Sequence, residues 1–325
     1  MKKLHLISTG LFSGLISLNI LAAGNHTFAL SHYGSPSDTV TKATELMAKR
    51  ANELSNGRIT IKLHPNSELG NSNTQIDGTR MGTIDIVVVG NPYYTTFNQE
   101  LNLLDLPFLF KNEEHVDKVL NGEVGTYLLK SLEKSGLKGL AFYEIGFRDI
   151  TNNKKQIHSV SDLSHLKLRT TPNPAHIAAF KAWKANPTPM PFNEVYFSLK
   201  TGVIDGQENP VHHIYNNNLQ EVQKYLSMTH HAYTAAPMSM NLARFNSLDP
   251  EDQEILLKAA QEGAELEKKL NIEENKIYLA KLQQQGMEVE LSPDTSSFQE
   301  GARIAWNDYI KKYGDNKIKK ILSSK

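Results

Sequence analysis

Hydrophobic positions along this chain recur with two different periods. Residues 58–63 place Ile59, Ile61 and Leu63 on one face, which is the period of a half-buried strand. Residues 37–54 and 113–135 repeat apolar positions every three or four residues, as amphipathic helices do. The other predicted elements are strands at residues 27–33, 84–89, 137–145 and around 169, helices at 74–81, 175–185 and 192–201, and extended segments between 225 and 242. This alternation predicts an α/β architecture with mostly parallel sheets.

The longest helical pattern comes late in the chain. Asp249 and Pro250 supply a capping residue and a first-turn proline, the pattern continues to Gln285, and Gly286 follows as a stop. At about 1.5 Å per residue this helix would be roughly 55 Å long, whereas a lobe of about 150 residues is about 40 Å across. The helix therefore either breaks, near Gly263, or spans two lobes, and we favour the second.

The N-terminus has the pattern of an export signal. Lys2 and Lys3 precede an apolar run over residues 4–21 and the small residues 22–24, where we expect cleavage. The run contains too many polar residues for a membrane span, and the chain has no cysteine for a lipid anchor, a disulfide or a thiolate metal site. We therefore expect a soluble periplasmic protein, and about 300 mature residues favour two lobes.

Charge and motifs exclude several function classes. Lys plus Arg and Asp plus Glu both number 35 and are interspersed, which argues against nucleic-acid binding. The chain lacks the nucleophile elbow, P-loop, dinucleotide and zinc-protease signatures. The adjacent pairs His212-His213 and His230-His231 would direct their rings differently, so we interpret them as structural. We predict neither catalysis nor a metal or cofactor.

Two arginines are the main candidates for binding chemistry. Arg148 and Arg169 lie 21 residues apart, and each offers a rigid fork of donors that matches a carboxylate. Their spacing predicts two neighbouring strand ends that face one cleft. Most arginines are exposed, so the alternative is that both are surface charges.

Several ordered motifs identify a family. Residues 146–152 (GFRDITN) and 161–169 (SDLSHLKLR) resemble the solute-binding proteins of TRAP transporters, of the dicarboxylate-binding-protein type. Matching segments cover essentially the whole mature chain: residues 67–70 (SELG), 103–110 (LLDLPFLF), 189–196 (PMPFNEVY) and 203–210 (VIDGQENP). Residues 169–199 and 221–233 look most like the 2,3-diketo-L-gulonate-binding branch. Asn209 and Gly206 depart from that branch, which has histidine and alanine there, and this leaves the exact sugar acid open.

The resemblance implies a two-lobed periplasmic-binding-protein fold with a ligand cleft and a long C-terminal helix that spans both lobes. The implied ranges are 1–23 for the signal peptide, 24–146 plus about 234–270 for lobe I, and 147–233 plus about 271–325 for lobe II. The protein would be a monomer that delivers an organic acid to the small and large membrane permease subunits.

The resemblance also implies site residues. Arg169 would be the principal carboxylate clamp, Arg148 a second contact, Asn209 a group that closes over the carboxylate, and Phe192 an apolar floor. Polar side chains that suit a hydroxylated tail complete the expected site, and these are Tyr33, Asn71, Asn73, Asn91, Tyr93, Tyr94, Asn173, His176 and Glu208. Two rival functions remain open: a binder of a smaller dicarboxylate or 2-oxo acid, and a periplasmic uronate-processing enzyme that would use Asp205 and Glu208 as a carboxylate pair.

Overall fold

The computed structural model describes residues 25–324, so the predicted signal peptide lies outside the described residues. Nine strands form one sheet in the order β2-β1-β3-β8-β4-β7-β5-β6, and β9 pairs with β8. The strands are β1 His26–His32, β2 Ile59–His64, β3 Ile86–Val88, β4 Leu137–Asn152, β5 Lys167–Thr170, β6 Asn186–Pro189, β7 Gly206–Asn209, β8 Tyr225–Asn241 and β9 Glu288–Glu290.

Helices cover the sheet. The helices are α1 Thr39–Leu54, α2 Ser72–Met81, α3 Glu113–Leu120, α4 Glu123–Ser131, α5 Pro174–Ala182, α6 Val195–Lys200, α7 Val211–Asn216, α8 Leu242–Asn246, α9 Pro250–Gln284, α10 Gln299–Tyr313 and α11 Asn316–Ser323. Helices α2, α3, α5 and α8 each begin after an asparagine whose side chain accepts a backbone N–H of the first turn. The pattern at 113–135 therefore divides into α3 and α4, because Asn121 ends one helix and Gly122 precedes the next. Within residues 25–324, no helix combines the length and apolarity needed to cross a bilayer.

The middle of the sheet is antiparallel, whereas its two ends are parallel. Strands β1, β2 and β3 are parallel at one end, and β5 pairs in parallel with β6 and β7 at the other. Between them, β4 runs antiparallel to β8 from Leu137 to Asn152. Among residues 25–324, five of the eight strand pairings are parallel, so the prediction of mostly parallel pairing holds except for this antiparallel centre. Strand β8 matches the extended region predicted between 225 and 242, whereas β4 continues past its predicted end at residue 145, because residues 146–152 carry polar positions that weaken the strand pattern.

Helix α9 is unbroken over its 35 residues. Gly263 does not break it, because this glycine makes room for a close neighbour: a side chain there would collide with the hydroxyl of Tyr143 and the backbone oxygen of Ala43. The helix packs against α1 and β4 and, further along, against α7. The spanning helix that we favoured is therefore present.

Three groups of buried apolar residues form the core. One lies around β1, β3, α1 and the first half of α9, and includes Phe28, Met47 and Leu256. A second lies around α6, α7 and the end of α9, and includes Val195 and Leu282. The third and largest joins α3, α4 and α5 to the C-terminal helices. The polar centre of the sheet lies where these groups meet.

Candidate functional site

A small cavity of about 30 Å³ lies beside the two long strands β4 and β8. The strands β4, β5, β7 and β8 direct side chains into it, and the segments after β1 and β3 and helix α7 close it. Its lining residues are Tyr33, Ser72, Gly90, Pro92, Tyr93, Ile145, Arg148, Arg169, Thr171, Phe192, Asn209, His213 and Thr234. Both predicted arginines therefore face one cavity.

A larger surface groove is a weaker candidate. It has a volume of about 620 Å³ near α6 and the turn after α9, and its cations are Lys200 and Lys224. Lysine is a flexible point charge without the bidentate fork, and an open groove leaves a carboxylate in water, where pairing is weak. The arginine cavity is the better place to hold an organic anion.

Arg169 is buried but is held only by neutral groups. It is 1% exposed, and its Nε and Nη2 donate to the backbone oxygen of Met190 at 3.1 and 2.8 Å. Nη2 also donates to the hydroxyl of Tyr93 at 3.1 Å. Burial lowers the pKa of Arg169, although arginine keeps its proton in proteins. Among residues 25–324 no carboxylate forms an ion pair with this guanidinium, so its charge is not neutralised.

Arg148 is equally buried but already has a carboxylate partner. Its Nε and Nη2 donate to the carboxylate of Glu208, and Nη2 also donates to Asn209 Oδ1 at 3.0 Å. Only Nη1 is nearly free, since it reaches Thr234 Oγ1 at 3.4 Å. Burial alone would raise the pKa of Glu208, but Arg148, together with His231, holds it well below its usual range. Glu208 is therefore ionised, and its negative charge neutralises the positive charge of Arg148.

The arrangement of the two arginines differs from the predicted neighbouring strand ends. Arg148 lies within β4, and β7 separates β4 from the β5 strand that carries Arg169. The prediction of adjacency was wrong because β7, which lies between them in the sheet, comes 58 to 61 positions after Arg148 in the chain. The intervening strand supplies Asn209, whose Oδ1 accepts from Arg148 while Nδ2 donates to Gln207 at 2.5 Å.

Aromatic rings form the remaining wall. The ring of Phe192 is half-buried and lies 6.0 Å from Arg169 Cζ, and its centroid is 4.4 Å from the ring of His213. Tyr33 meets the same histidine edge-on at 5.6 Å. Burial raises the pKa of Tyr33 well above its usual value, so its hydroxyl remains a donor. These contacts give the cavity a flat apolar surface with polar groups at its edges.

The predicted amides Asn91 and Asn173 do not line the cavity, and both donate to the buried carboxylate of Asp105 beside it. Asn91 Nδ2 donates to Asp105 Oδ2 at 2.6 Å and to the backbone oxygen of Leu101 at 2.8 Å. Asn173 donates to the same Asp105 oxygen at 2.8 Å and caps α5 by accepting from the backbone of His176. Burial raises the pKa of Asp105 well above its usual range. Through Asp105, these hydrogen bonds connect the segment after β3 to the segment after β5.

The other predicted residues outside the lining have local partners. Asn71 caps α2 by accepting from the backbone of Thr74 at 3.1 Å, and Asn73 is exposed on that helix. His176 is buried, its Nδ1 faces Thr171 Oγ1 at 2.9 Å, and burial lowers its pKa to about 3. Glu208 is occupied by Arg148, and Tyr94 bonds Ser239 at 2.9 Å. These positions satisfy the fold's own polar groups.

His213 lines the cavity, although the sequence interpretation took it as structural. Its Nδ1 lies 3.4 Å from Asp38 Oδ2, and the two side chains are 3% and 1% exposed. His212 is also close, and candidate ligand atoms of Asp38, His212 and His213 lie within 4.8 Å of one another, as a metal site would require. His212 Nδ1, however, already faces Asn275 Oδ1 at 3.0 Å. The only sequence signal was the histidine pair three residues after Asn209.

Comparison with known proteins gives the family. The model for "Bacterial extracellular solute-binding protein, family 7" (DctP) matches residues 30–312. The 2,3-diketo-L-gulonate-binding periplasmic protein YiaO of Escherichia coli strain K12 is 38% identical over 297 residues, which cover 91% of this chain and 90% of that protein.

Solved structures show the same fold. A TRAP periplasmic solute-binding protein of Polaromonas sp. JS666 bound to D-erythronate has a TM-score of 0.90 at 30% identity, covering 92% of this chain and 99% of that one. One from Haemophilus influenzae RdAW with bound L-gulonate has a TM-score of 0.88 at 30% identity, with the same coverage. These matches confirm the resemblance, the two-lobed fold and the expectation of binding without catalysis, since the relatives are solute-binding proteins. The chain therefore belongs to family 7 of the bacterial extracellular solute-binding proteins, the DctP family of TRAP transporters.

Proposed function

We propose that this protein captures a sugar acid, such as 2,3-diketo-L-gulonate or a gulonate-like hexonate, in the periplasm and delivers it to the TRAP membrane permease. The observation that carries the proposal is Arg169, a fully buried guanidinium in the cavity with only neutral partners. A buried cation without a counterion is costly, and a ligand carboxylate offsets that cost. In our proposal Arg169 clamps the carboxylate.

The other contacts divide between the carboxylate and the tail. Arg148 would contribute Nη1, and Asn209 would lie over the carboxylate beside it. Phe192 would support the carbon chain, and Tyr33 would donate to a hydroxyl or oxo group. A charge-assisted hydrogen bond contributes about 1.5 to 3 kcal/mol, so the clamp alone falls short of the about 8 kcal/mol that micromolar binding represents. The tail must supply the remainder.

The lobes proposed from the sequence fit this picture. Lobe I would comprise residues 24–146 and about 234–270, and lobe II residues 147–233 and about 271–325. The separate apolar groups around Met47 and around Val195 support this division, although the largest apolar group joins α3 and α4 of lobe I to α5 and the C-terminal helices of lobe II. Strands β4 and β8 cross between the proposed lobes beside the cavity, so small changes there can close it around a ligand. We propose that a monomer presents this closed form to the permease subunits.

Two named relatives bear on the substrate class. YiaO is named for a six-carbon acid, and the Haemophilus structure holds L-gulonate, also of six carbons. The Polaromonas structure holds D-erythronate, which has four carbons, and it supports the alternative that the ligand is a smaller acid. We favour the six-carbon class because the lining continues from Arg169 past Phe192 to the polar side chain of His213.

A thermal-shift screen of the mature chain tests the proposal. Ligands that bind only the native state raise the melting temperature, so L-gulonate and ketohexonates should give the largest shifts among C4 to C7 acids. The matching lactones and alcohols, which lack the carboxylate, should give none. Arg169→Ala should abolish the response, whereas Arg80→Ala, at an exposed arginine paired with Asp77, should retain it.

Three results would count against this function. A full response in Arg169→Ala would remove the clamp. Larger shifts with succinate or 2-oxo acids than with hexonates would favour the smaller-acid rival. Product formation from a uronate would favour the enzyme.

A further inference from the structure

The far end of the cavity carries a polar pair that the carboxylate clamp does not use. His213 lines the cavity one aromatic ring beyond Arg169, since Phe192 contacts both. Asp38, in the segment before α1, approaches His213 Nδ1 from behind at 3.4 Å. Both side chains are almost fully buried, at 2% and 1% exposure, so neither is a solvated surface charge.

Asp38 is placed to orient the imidazole. Its Oδ1 accepts from Thr39 Oγ1 at 3.2 Å, whereas Oδ2 has no hydrogen bond within residues 25–324. Burial alone would raise the pKa of Asp38, but His213, followed by His212, lowers it to about 2. His213 Nδ1 faces two groups, Asp38 Oδ2 at 3.4 Å and the amide nitrogen of Asn217 at 3.4 Å. Of these, the ionised carboxylate carries the charge and favours a proton on Nδ1. A histidine held in this way presents its other nitrogen in a fixed direction.

We propose that His213, oriented by Asp38, is a specificity-determining residue that uses Nε2 to bond an oxygen on the distal carbons of a six-carbon sugar acid. This inference rests on the proposed function, in which Arg169 holds the carboxylate at the other end. A four-carbon acid clamped at Arg169 ends before it reaches His213. The histidine therefore selects for chain length and for an oxygen at the correct position.

The surroundings make this one hydrogen bond selective. Phe192 and Tyr33 pack on the imidazole and shield it from water, with ring centroids 4.4 and 5.6 Å away. A buried polar group that a ligand leaves unpaired costs more than a missing apolar contact, and polar sites therefore reject ligands that lack the matching group. In the proposed lobe division, Asp38 lies in lobe I and His213 in lobe II, so the orienting contact forms only when the cleft is closed.

Calorimetric titration with two acids separates this role from a structural one. The double variant Asp38→Asn/His213→Phe keeps the ring, removes the Nε2 acceptor and leaves no buried unpaired carboxylate. We expect it to weaken L-gulonate binding about tenfold or more and D-erythronate binding less than about twofold, as one lost hydrogen bond from a tail hydroxyl requires. His213→Gln, which restores an acceptor oxygen, should recover part of the L-gulonate affinity. His115→Gln, at a buried histidine that bonds Ile321 away from the cavity, should change neither affinity.

The outcomes are distinct. Equal losses for both acids, or no loss for L-gulonate, would overturn the assignment of His213. A rise in melting temperature with ZnCl₂ that Asp38→Asn abolishes would also overturn it, because the cluster would then be a metal site. If the wild type binds neither acid, the proposed function fails, and this assignment fails with it. If the wild type binds L-gulonate and the double variant binds it with the same affinity, the role of His213 is wrong and the proposed function stands.

Discussion

Arg148 and Arg169 are both 1% exposed and line one cavity, yet their surroundings differ. Arg148 shares a buried ion pair with Glu208, whereas Arg169 is held by the Met190 backbone and the Tyr93 hydroxyl. A buried guanidinium that is paired with a carboxylate gains little free energy from a ligand anion, whereas an unpaired one gains much more. Burial and residue type are therefore the same in the two cases, and in our proposal the partner decides which arginine receives the ligand.

The largest expected effect concerns the stability of the Arg148 region. Glu208→Gln leaves a buried guanidinium without its counterion, and we expect the free energy of unfolding to fall by about 3 kcal/mol. Urea denaturation measures this change. Glu114→Gln, at an exposed glutamate paired with Lys118, should cost less than about 0.5 kcal/mol. A loss as small as the control's would mean that Arg148, like Arg169, needs no carboxylate of its own.

The second effect concerns affinity in the Arg169 region. Arg169→Lys keeps the charge but loses the bidentate fork, and we expect L-gulonate affinity to fall about 100-fold, or about 2.7 kcal/mol. Calorimetric titration measures it, with Arg80→Lys as the exposed control. Arg148→Lys should lose less affinity, because two of its donor nitrogens already serve Glu208. Equal affinity losses in the two lysine variants would abolish the distinction between the arginines.

The third effect tests what happens to a buried carboxylate that lacks an arginine. Glu144, in β4, is 6% exposed, and burial, with a smaller contribution from Glu113, raises its pKa to about 8. The folded state then keeps a proton that the unfolded state releases above its ordinary pKa of 4.5. Stability is accordingly full below pH 4.5 and is lost as the pH rises toward 8.

Chemical denaturation between pH 6 and 7.5 measures this dependence. The wild type should lose up to about 1.4 kcal/mol per pH unit relative to Glu144→Gln, which has no proton to release. A parallel pH dependence in the two proteins would show that Glu144 is ionised in the fold. A buried glutamate in this fold would then not need a cationic partner, such as the Arg148 that faces Glu208, in order to be ionised.

The sequence predicted local features better than it predicted which side chains bond to one another. The spanning helix was predictable because Asp249, Pro250 and Gly286 mark its ends within a continuous pattern. Arg169 was singled out by its motif and lines the cavity, while its role as the carboxylate clamp stays a prediction. Asn91 and Asn173 were expected to contact ligand because they follow strands, yet both bind Asp105. An amide in a loop can serve a ligand, a cap or a buried acid, and its residue type does not distinguish among them.

By itself, the sequence determined the alternation of strands and helices, the long α9 and the supply of two arginines, because these depend on spacing and residue type over short stretches. Tertiary structure alone decided that Glu208, 60 positions away, neutralises Arg148 and leaves Arg169 available. It also placed Asp38 against His213 and inserted β7 between the two arginine strands. The physical reason is that the free energy of a buried charge depends on which groups the chain brings within a few ångströms of it.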